Sequence, residues 1–243
     1  MRIKHKWFKA NNLKCVVLAA GKGSRLLTLT KNNPKPMVNV VEEPILDHLI
    51  NYWKQYTNDF VFVVNYKKEK IIDYVRNFKG IKYRFVVQKE LKGIADALLT
   101  VEKEVGDKFI VVLGDCICRG DFYFPQNMGQ GVGVWETENK NDIRNSYSVR
   151  LTGNFVSRVK EKPKRIYSRL CGQGFYFFDK RIFNYIKKVL LSKLMNGVEL
   201  NLTDVIQKMI DGKEKISPIV FRGDYININT EDELNRARKI VNI

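Results

Sequence analysis

Val16-Val-Leu-Ala-Ala-Gly-Lys-Gly-Ser-Arg-Leu-Leu-Thr-Leu-Thr-Lys-Asn-Asn-Pro-Lys-Pro-Met37 is the stretch on which the reading of this chain turns. Val16, Val17 and Leu18 form a continuous apolar run ending in small residues, the pattern of a parallel strand buried on both faces. Gly21 and Gly23 lack a Cβ, so the backbone can bend sharply there and bring its N–H groups against a phosphate. Arg25 and Lys35 add fixed positive charge beside the loop, which suits a polyanion such as a triphosphate. An ordinary strand–turn connection with two solvated cations would use the same residues. Two other phosphate loops are excluded. The dinucleotide fingerprint needs a third glycine and a following helix, where this chain has prolines. The Walker loop needs a Gly-Lys-Ser/Thr ending that is missing here.

Outward from this segment, strands and helices alternate. Leu13–Ala20 reads as strand, Ile45–Tyr56 as an amphipathic helix opened by Pro44, and Phe60–Val64 as strand. Lys68–Phe78 reads as helix, Ile81–Gln88 as strand, Ala95–Val105 as helix and Phe109–Leu113 as strand. This order implies right-handed crossovers and a parallel sheet covered on both faces. Beyond Asp115 the pattern changes: Gly131–Glu136, Ser146–Leu151 and Phe155–Lys160 read as antiparallel strands, with Thr152-Gly153-Asn154 as a hairpin turn. Gly174–Phe178 is a further strand, Arg181–Leu194 and Leu202–Ile210 are helices, and Ser217–Phe221 with Tyr225–Ile228 reads as a strand pair. Glu231–Val241 closes the chain as a helix, with Thr230 as N-cap and Glu233 at the capping-box position. The fold class expected is α/β: a Rossmann-like mixed, mainly parallel sheet with helices on both faces and a small antiparallel lobe. The organisation expected is one domain over residues 1–243, with a nucleotide-binding half (13–118) and a second half (119–243) carrying the closing helix.

Composition narrows the classes. A chain of 243 residues, 44% hydrophobic, can bury one substantial core. No apolar run reaches the length of a membrane span. The start, Met1 to Asn12, is basic without an apolar stretch or cleavage site, so a secretory signal is not expected and a cytoplasmic protein is. The cysteines (Cys15, Cys116, Cys118, Cys171) show only a C-x-C spacing, and with two histidines in the chain a zinc site is not expected. The net charge of +17 favours anionic partners. Its lysines are scattered among acids, as at Lys67, Lys68 and Lys70 around Glu69 and Asp73, which reads as a solvated face and not a nucleic-acid footprint.

The opening segment as a whole resembles the signature of the sugar-phosphate nucleotidyltransferase family, L-A-A-G-x-G-T-R-L-x-P-L-T-x-x-x-P-K-P-M, with Ser24 in place of Thr and Thr28 in place of Pro. Further motifs follow in family order. Val86-Val-Gln-Lys-Glu-Leu-Lys-Gly-Ile-Ala-Asp-Ala-Leu98 resembles Q-x-x-x-x-G-T-A-x-A-[LV], with Ile94 for the usual Thr. Glu161-Lys-Pro163 matches E-K-P, Gly174-Phe-Tyr-Phe-Phe178 resembles G-[IV]-Y-x-F, and Glu199-Leu-Asn-Leu-Thr-Asp204 resembles E-x-x-L-T-D. Gly223-Asp-Tyr-Ile-Asn-Ile-Asn-Thr-Glu-Asp-Glu-Leu234 resembles W-x-D-[IV]-[GN]-T-x-E-D-L, with Asn227 in the Asp position and Asn229 just before Thr230. The sequence ends without a hexapeptide array, so the acetyltransferase half of the bifunctional uridylyltransferases is not expected.

The resemblance implies a set of roles. Leu18, Ala20, Gly21 and Gly23 would bind the nucleotide, Arg25 the leaving pyrophosphate and Lys35 the transferring phosphoryl group. Gln88 and Gly93 would hold the base. A Gln amide both donates and accepts, matching the N3–H and adjoining carbonyl of uracil or thymine. Asp115, at the carboxyl end of a central strand, would hold Mg²⁺ with Asn227 as second ligand. Glu161 would take sugar hydroxyls, Lys162 the sugar phosphate, and Gly174 would lie near the sugar. The reaction implied joins UTP or dTTP to a hexose 1-phosphate, in a protein that can form homo-oligomers and has no nucleic-acid partner. The other readings are a different pair on the same scaffold (GTP with mannose 1-phosphate, CTP with phosphocholine) and a non-catalytic nucleotide- or RNA-binding protein.

Overall fold

The computed structural model describes Phe8 and residues 12–23, 26–126, 128–194 and 200–242. The apolar run of the opening segment is β1 (Lys14–Leu18), whose central residues Cys15, Val16 and Val17 are fully buried. It lies parallel between β4 (Asp59–Val64) and β6 (Lys108–Leu113), and β4 in turn lies parallel to β5 (Lys82–Val87). A two-residue pairing, β2 (Asn39–Val40) with β3 (Glu43–Pro44), stands apart from this sheet.

The sheet continues with β11 (Leu170–Asp179), antiparallel to β6, then β8 (Gln130–Glu136), β12 (Ile216–Asn227) and β7 (Cys116–Tyr123). The hairpin β9 (Tyr147–Thr152) and β10 (Phe155–Glu161) attaches beside β11, which completes ten strands. Phe155 pairs with Thr152, so the hairpin turn is Gly153 and Asn154 alone, and Thr152, expected in the turn, ends the strand. Both halves of the chain thus share one Rossmann-like mixed sheet, parallel through its first four strands, with a small antiparallel extension.

Helices cover both faces. The short α1 (Leu27–Thr30) precedes a 3₁₀ turn over Lys35–Met37. On one face α2 (Ile45–Trp53) and α3 (Lys68–Arg76) set Leu46, Leu49, Ile50, Trp53, Ile71 and Val75 against Cys15, Val17, Phe60 and Phe62. On the other, α4 (Ile94–Leu99), α6 (Arg181–Leu194) and α7 (Leu202–Asp211) bury Leu98, Phe183, Ile186, Val205 and Ile206 against Val16, Val61 and Val111. Alternate residues of β1 therefore enter opposite cores, which is why its sequence is apolar throughout rather than alternating. A third cluster seats α8 (Glu231–Val241) through Leu234 and Ala237 on Ile117, Ile226 and Ile228.

Two expectations need correction, and two elements were not expected. The helix expected over 95–105 ends at Leu99 and continues as turns, because Val101 and Glu102 bond back to Leu98 and Leu99 in the tighter i→i−3 pattern. The strand β7 and the helix α5 (Lys140–Asn145), the latter capped by Asn139, had no clear apolar period. The strand pair expected at 217–221 and 225–228 is the single strand β12. Arg222-Gly223-Asp224 looks like a turn, yet Gly223 faces Gly120 of β7. A Cβ on Gly120 would stand 2.1 Å from the Arg222 carbonyl oxygen, and one on Gly223 would stand 2.2 Å from that of Arg119. With φ of +140° and +133°, both positions admit glycine and little else.

Candidate active site

A cleft of about 370 Å³ opens at the carboxyl ends of β1 and β6, the edge where open α/β sheets take ligands. Leu18, Ala20, Gly21 and Gly23 enter it from β1 and the loop that follows. The 3₁₀ turn contributes Lys35, the segment after β5 contributes Gln88 and Gly93, and the end of β6 contributes Asp115. Eight of the residues expected at the site, separated by up to a hundred positions along the chain, meet in this one space. Arg25 and Ser24 lie outside the described residues, as does Glu199.

Gly23 is glycine for a reason nearer than the phosphate. Its φ is +66°, and a Cβ there would sit 2.9 Å from the Lys35 Cβ. Thr30 Oγ1 donates to the Gly23 carbonyl at 3.0 Å and fixes the turn. The loop and Lys35 are thereby pressed together, and the lysine is only 8% exposed. Its Nζ donates to Asp115 Oδ2 at 2.5 Å and to Asn229 Oδ1 at 2.9 Å. One ammonium so neutralises the carboxylate at the strand end and meets an amide carbonyl 194 residues further along the chain.

Asn229 lines the main cleft, while Asn227, expected as the second metal ligand, lies two residues before it in the chain. Asn227 pairs with Cys116 at the last rung of β12 and β7, and Ile228 N then donates to the Asp115 carbonyl. Asn227 lines a smaller adjoining cleft with Asp142 and Arg236, and the two clefts meet at Asn229. The buried Oδ1 of Asn227 has no hydrogen-bond partner among the described residues. Among the described residues no group of three or more His, Cys, Asp or Glu side chains is placed to hold a metal by itself. One carboxylate with amide carbonyls nearby is nonetheless the lean all-oxygen set that Mg²⁺ accepts when substrate phosphates complete its shell. The donors present fit that ion.

Gln88, 2% exposed, donates through Nε2 to Asp96 Oδ2 at 2.8 Å and to the Gly93 carbonyl at 3.3 Å. Asp96 was not among the expected site residues, although it stands within the motif that holds Gln88 and Gly93.

The remaining expected residues lie in the second half of the chain, and none lines the main cleft. Glu161 ends β10 and accepts from Thr203 Oγ1 of α7 at 3.1 Å, so the E-K-P and L-T-D motifs meet in space. Lys162 is exposed with a φ of +39°, and its N–H donates to the Ser146 carbonyl at 2.8 Å. Gly174 backs onto the cleft wall: a Cβ there would stand 2.8 Å from Leu113 side-chain atoms. Its N–H donates to the Tyr225 hydroxyl at 2.6 Å, and that hydroxyl also meets Cys116 Sγ at 2.9 Å. Burial, and then the carboxylates of Glu161 and Asp115 among its neighbours, push the Tyr176 phenol well above its ordinary range, so this tyrosine lies within the field of both halves' acids.

Known proteins resemble this chain in sequence and in fold. The family model described as nucleotidyl transferase matches residues 14–227. The bifunctional protein GlmU of Methanocaldococcus jannaschii is 35% identical over 92% of this chain and 53% of its own length. The UTP–glucose-1-phosphate uridylyltransferase AglF of Haloferax volcanii is 34% identical over 93% of this chain and 96% of its own. The chain therefore spans about half of the GlmU relative and nearly all of AglF. Among solved structures, a Bacillus anthracis protein assigned as a glucose-1-phosphate thymidylyltransferase superposes with a TM-score of 0.79 at 27% identity, over 93% of this chain and 94% of that one. With its glycine loop, Lys35 and Asp115 gathered inside the matched region, and a relative of nearly equal length at 34% identity, the chain belongs to the nucleotidyl transferase family.

Proposed function

We propose that this nucleotidyltransferase joins a pyrimidine nucleoside triphosphate, UTP or dTTP, to a hexose 1-phosphate and releases pyrophosphate. The observation that carries the reading is the single cleft holding the β1 glycine loop, Lys35, Gln88 and Asp115 together. A phosphate oxygen of the sugar attacks the α-phosphorus, the new O–P bond forms, and the bond to the β-phosphate oxygen breaks in line with it. The attacking oxygen is already anionic at neutral pH, so no general base is required. Catalysis is then positioning and charge neutralisation.

In this reading residues 13–118 bind the nucleotide and residues 119–243 bind the sugar phosphate. Lys35 leaves Asp115 and Asn229 to neutralise the transferring phosphoryl group, and Arg25 takes the leaving pyrophosphate. Gln88 and Gly93 hold the base, Glu161 the sugar hydroxyls and Lys162 the sugar phosphate. Mg²⁺ held by Asp115 with Asn227, whose buried Oδ1 is left without a partner among the described residues, would supply positive charge at the α-phosphate. The AglF relative, named for UTP and glucose 1-phosphate, supports the pyrimidine and hexose assignment.

Pyrophosphate release tests the reading. UTP, dTTP, CTP and GTP are each offered with glucose, galactose, mannose and N-acetylglucosamine 1-phosphates and with phosphocholine. Turnover confined to UTP or dTTP with a hexose 1-phosphate is expected. Preference for GTP with mannose 1-phosphate, for CTP with phosphocholine, or no turnover with any pair overturns it.

A further inference from the structure

The hydrogen-bonding sense of Gln88 is settled before any ligand arrives. A primary amide has two donors and one acceptor, and turning it by 180° exchanges them in space. Here both N–H groups already have acceptors, the Asp96 carboxylate at 2.8 Å and the Gly93 carbonyl at 3.3 Å. Turned over, the amide would press its own oxygen against a carboxylate and a carbonyl, two repulsive contacts in a side chain that is 2% exposed. The main chain offers no slack either. Gln88 N donates to the Val64 carbonyl, and Asn65 Nδ2 donates to the Gln88 carbonyl. What Gln88 has left for the cleft is Oε1, an acceptor only.

We infer that Asp96 is a positioning residue that locks the Gln88 amide acceptor-outward and so selects nucleotides carrying an N–H on the ring nitrogen of their pairing edge. The inference rests on the base-binding role proposed above for Gln88. Uracil and thymine present N3–H to such an acceptor. Cytosine presents a bare N3 lone pair, and adenine a bare N1, which Oε1 repels. A free glutamine would not discriminate in this way, because its amide turns to suit either edge. Asp96 thereby converts an ambidextrous side chain into a one-sided reader. The carboxylate suits this task because it can only accept, whereas an Asn in its place has a donor to offer the turned amide.

The test is nucleotide binding by titration calorimetry with Mg-UTP and Mg-CTP, on the unaltered protein and on Asp96→Ala and Asp96→Asn. Thermal unfolding of each variant verifies the fold. The unaltered protein is expected to prefer UTP by roughly 10- to 100-fold, the range set by one buried repulsive or unmade hydrogen bond. Asp96→Ala is expected to bring the ratio to within about threefold, chiefly by tightening CTP, as the amide becomes free to turn. Asp96→Asn, which keeps the shape, falls between, and carries the test if the alanine variant does not fold. A loss of affinity for both nucleotides with an unchanged ratio in folded variants overturns the lock and leaves the base reading standing. An unaltered protein that binds CTP as tightly as UTP overturns the base reading itself.

Discussion

Lys35 is central at the scale of single residues. Its ammonium lies between Asp115 and Asn229, with Lys35 and Asp115 side chains 10% and 20% exposed. Removing the charge with Lys35→Met is expected to lower turnover by roughly 10²–10³, the usual cost of losing an electrostatic stabiliser at a reacting phosphate. It also leaves the carboxylate without its cation, and unfolding free energy falls by about 2 kcal/mol. Adding Asp115→Asn to the same chain should return part of that stability while leaving turnover low, because the pair fails together. Stability from urea unfolding and rate from pyrophosphate release separate the two effects. A stability loss in the double variant equal to the sum of the singles removes the claimed coupling.

Among the elements, α8 does more than close the fold. Thr230 and Glu233 make the capping box read from the sequence, and Glu233 Oε2 also accepts the Asn229 N–H at 2.7 Å. The helix cap and the loop bearing Asn229 are therefore one structure. Thr230→Ala is expected to cost about 1 kcal/mol of stability, as lost caps do, with turnover nearly unchanged. Glu233→Ala should cost a similar amount and reduce turnover several-fold as well, since Asn229 loses its backbone anchor. Equal kinetic effects in the two variants would disconnect the cap from the site. This was legible because a Thr and a Glu three positions apart carry a local signal. The continuity of β12 was not, since Arg222-Gly223-Asp224 has the composition of a turn and only the facing Gly120 makes it a strand. That Asn229 lines the main cleft was not legible either, because the register of an extended chain depends on pairing partners that no single segment displays.

For the whole molecule, the parallel half with its alternating strands and helices was readable from apolar periodicity, because each strand feeds two cores. The cleft residues were readable as motifs, but which carbonyl faces which amide was not. The Asp96–Gln88 contact arises only when the turn after β5 brings positions 88 and 96 together. Burial also gives the molecule a pH response. Desolvation pushes the thiols of Cys15, Cys116 and Cys118 well above their ordinary value of 9.0, and that of Cys171 up to about 12. The unfolded chain loses these protons first, so their contribution to stability is full below pH 9 and declines as pH rises toward the folded values. Each such thiol steepens the decline by at most about 1.4 kcal/mol per pH unit, a limit approached only above the unfolded thiol's own pKa. Denaturation midpoints at pH 8, 9 and 10 should fall progressively, and Cys15→Ala should flatten the slope. Midpoints constant to pH 10 would contradict the burial of these thiols.

Across its length β12 behaves as a measuring rod. Ile216 to Val220 run parallel along β8, Val220 to Asn227 run antiparallel along β7, and the chain then delivers Asn229 to Lys35. Because facing alternates at every residue, adding or deleting one position between Gly223 and Asn229 would turn the amide away from the cleft and unseat Ile226 and Ile228 from the cluster that holds α8. Residue count here is as much a specification as residue identity.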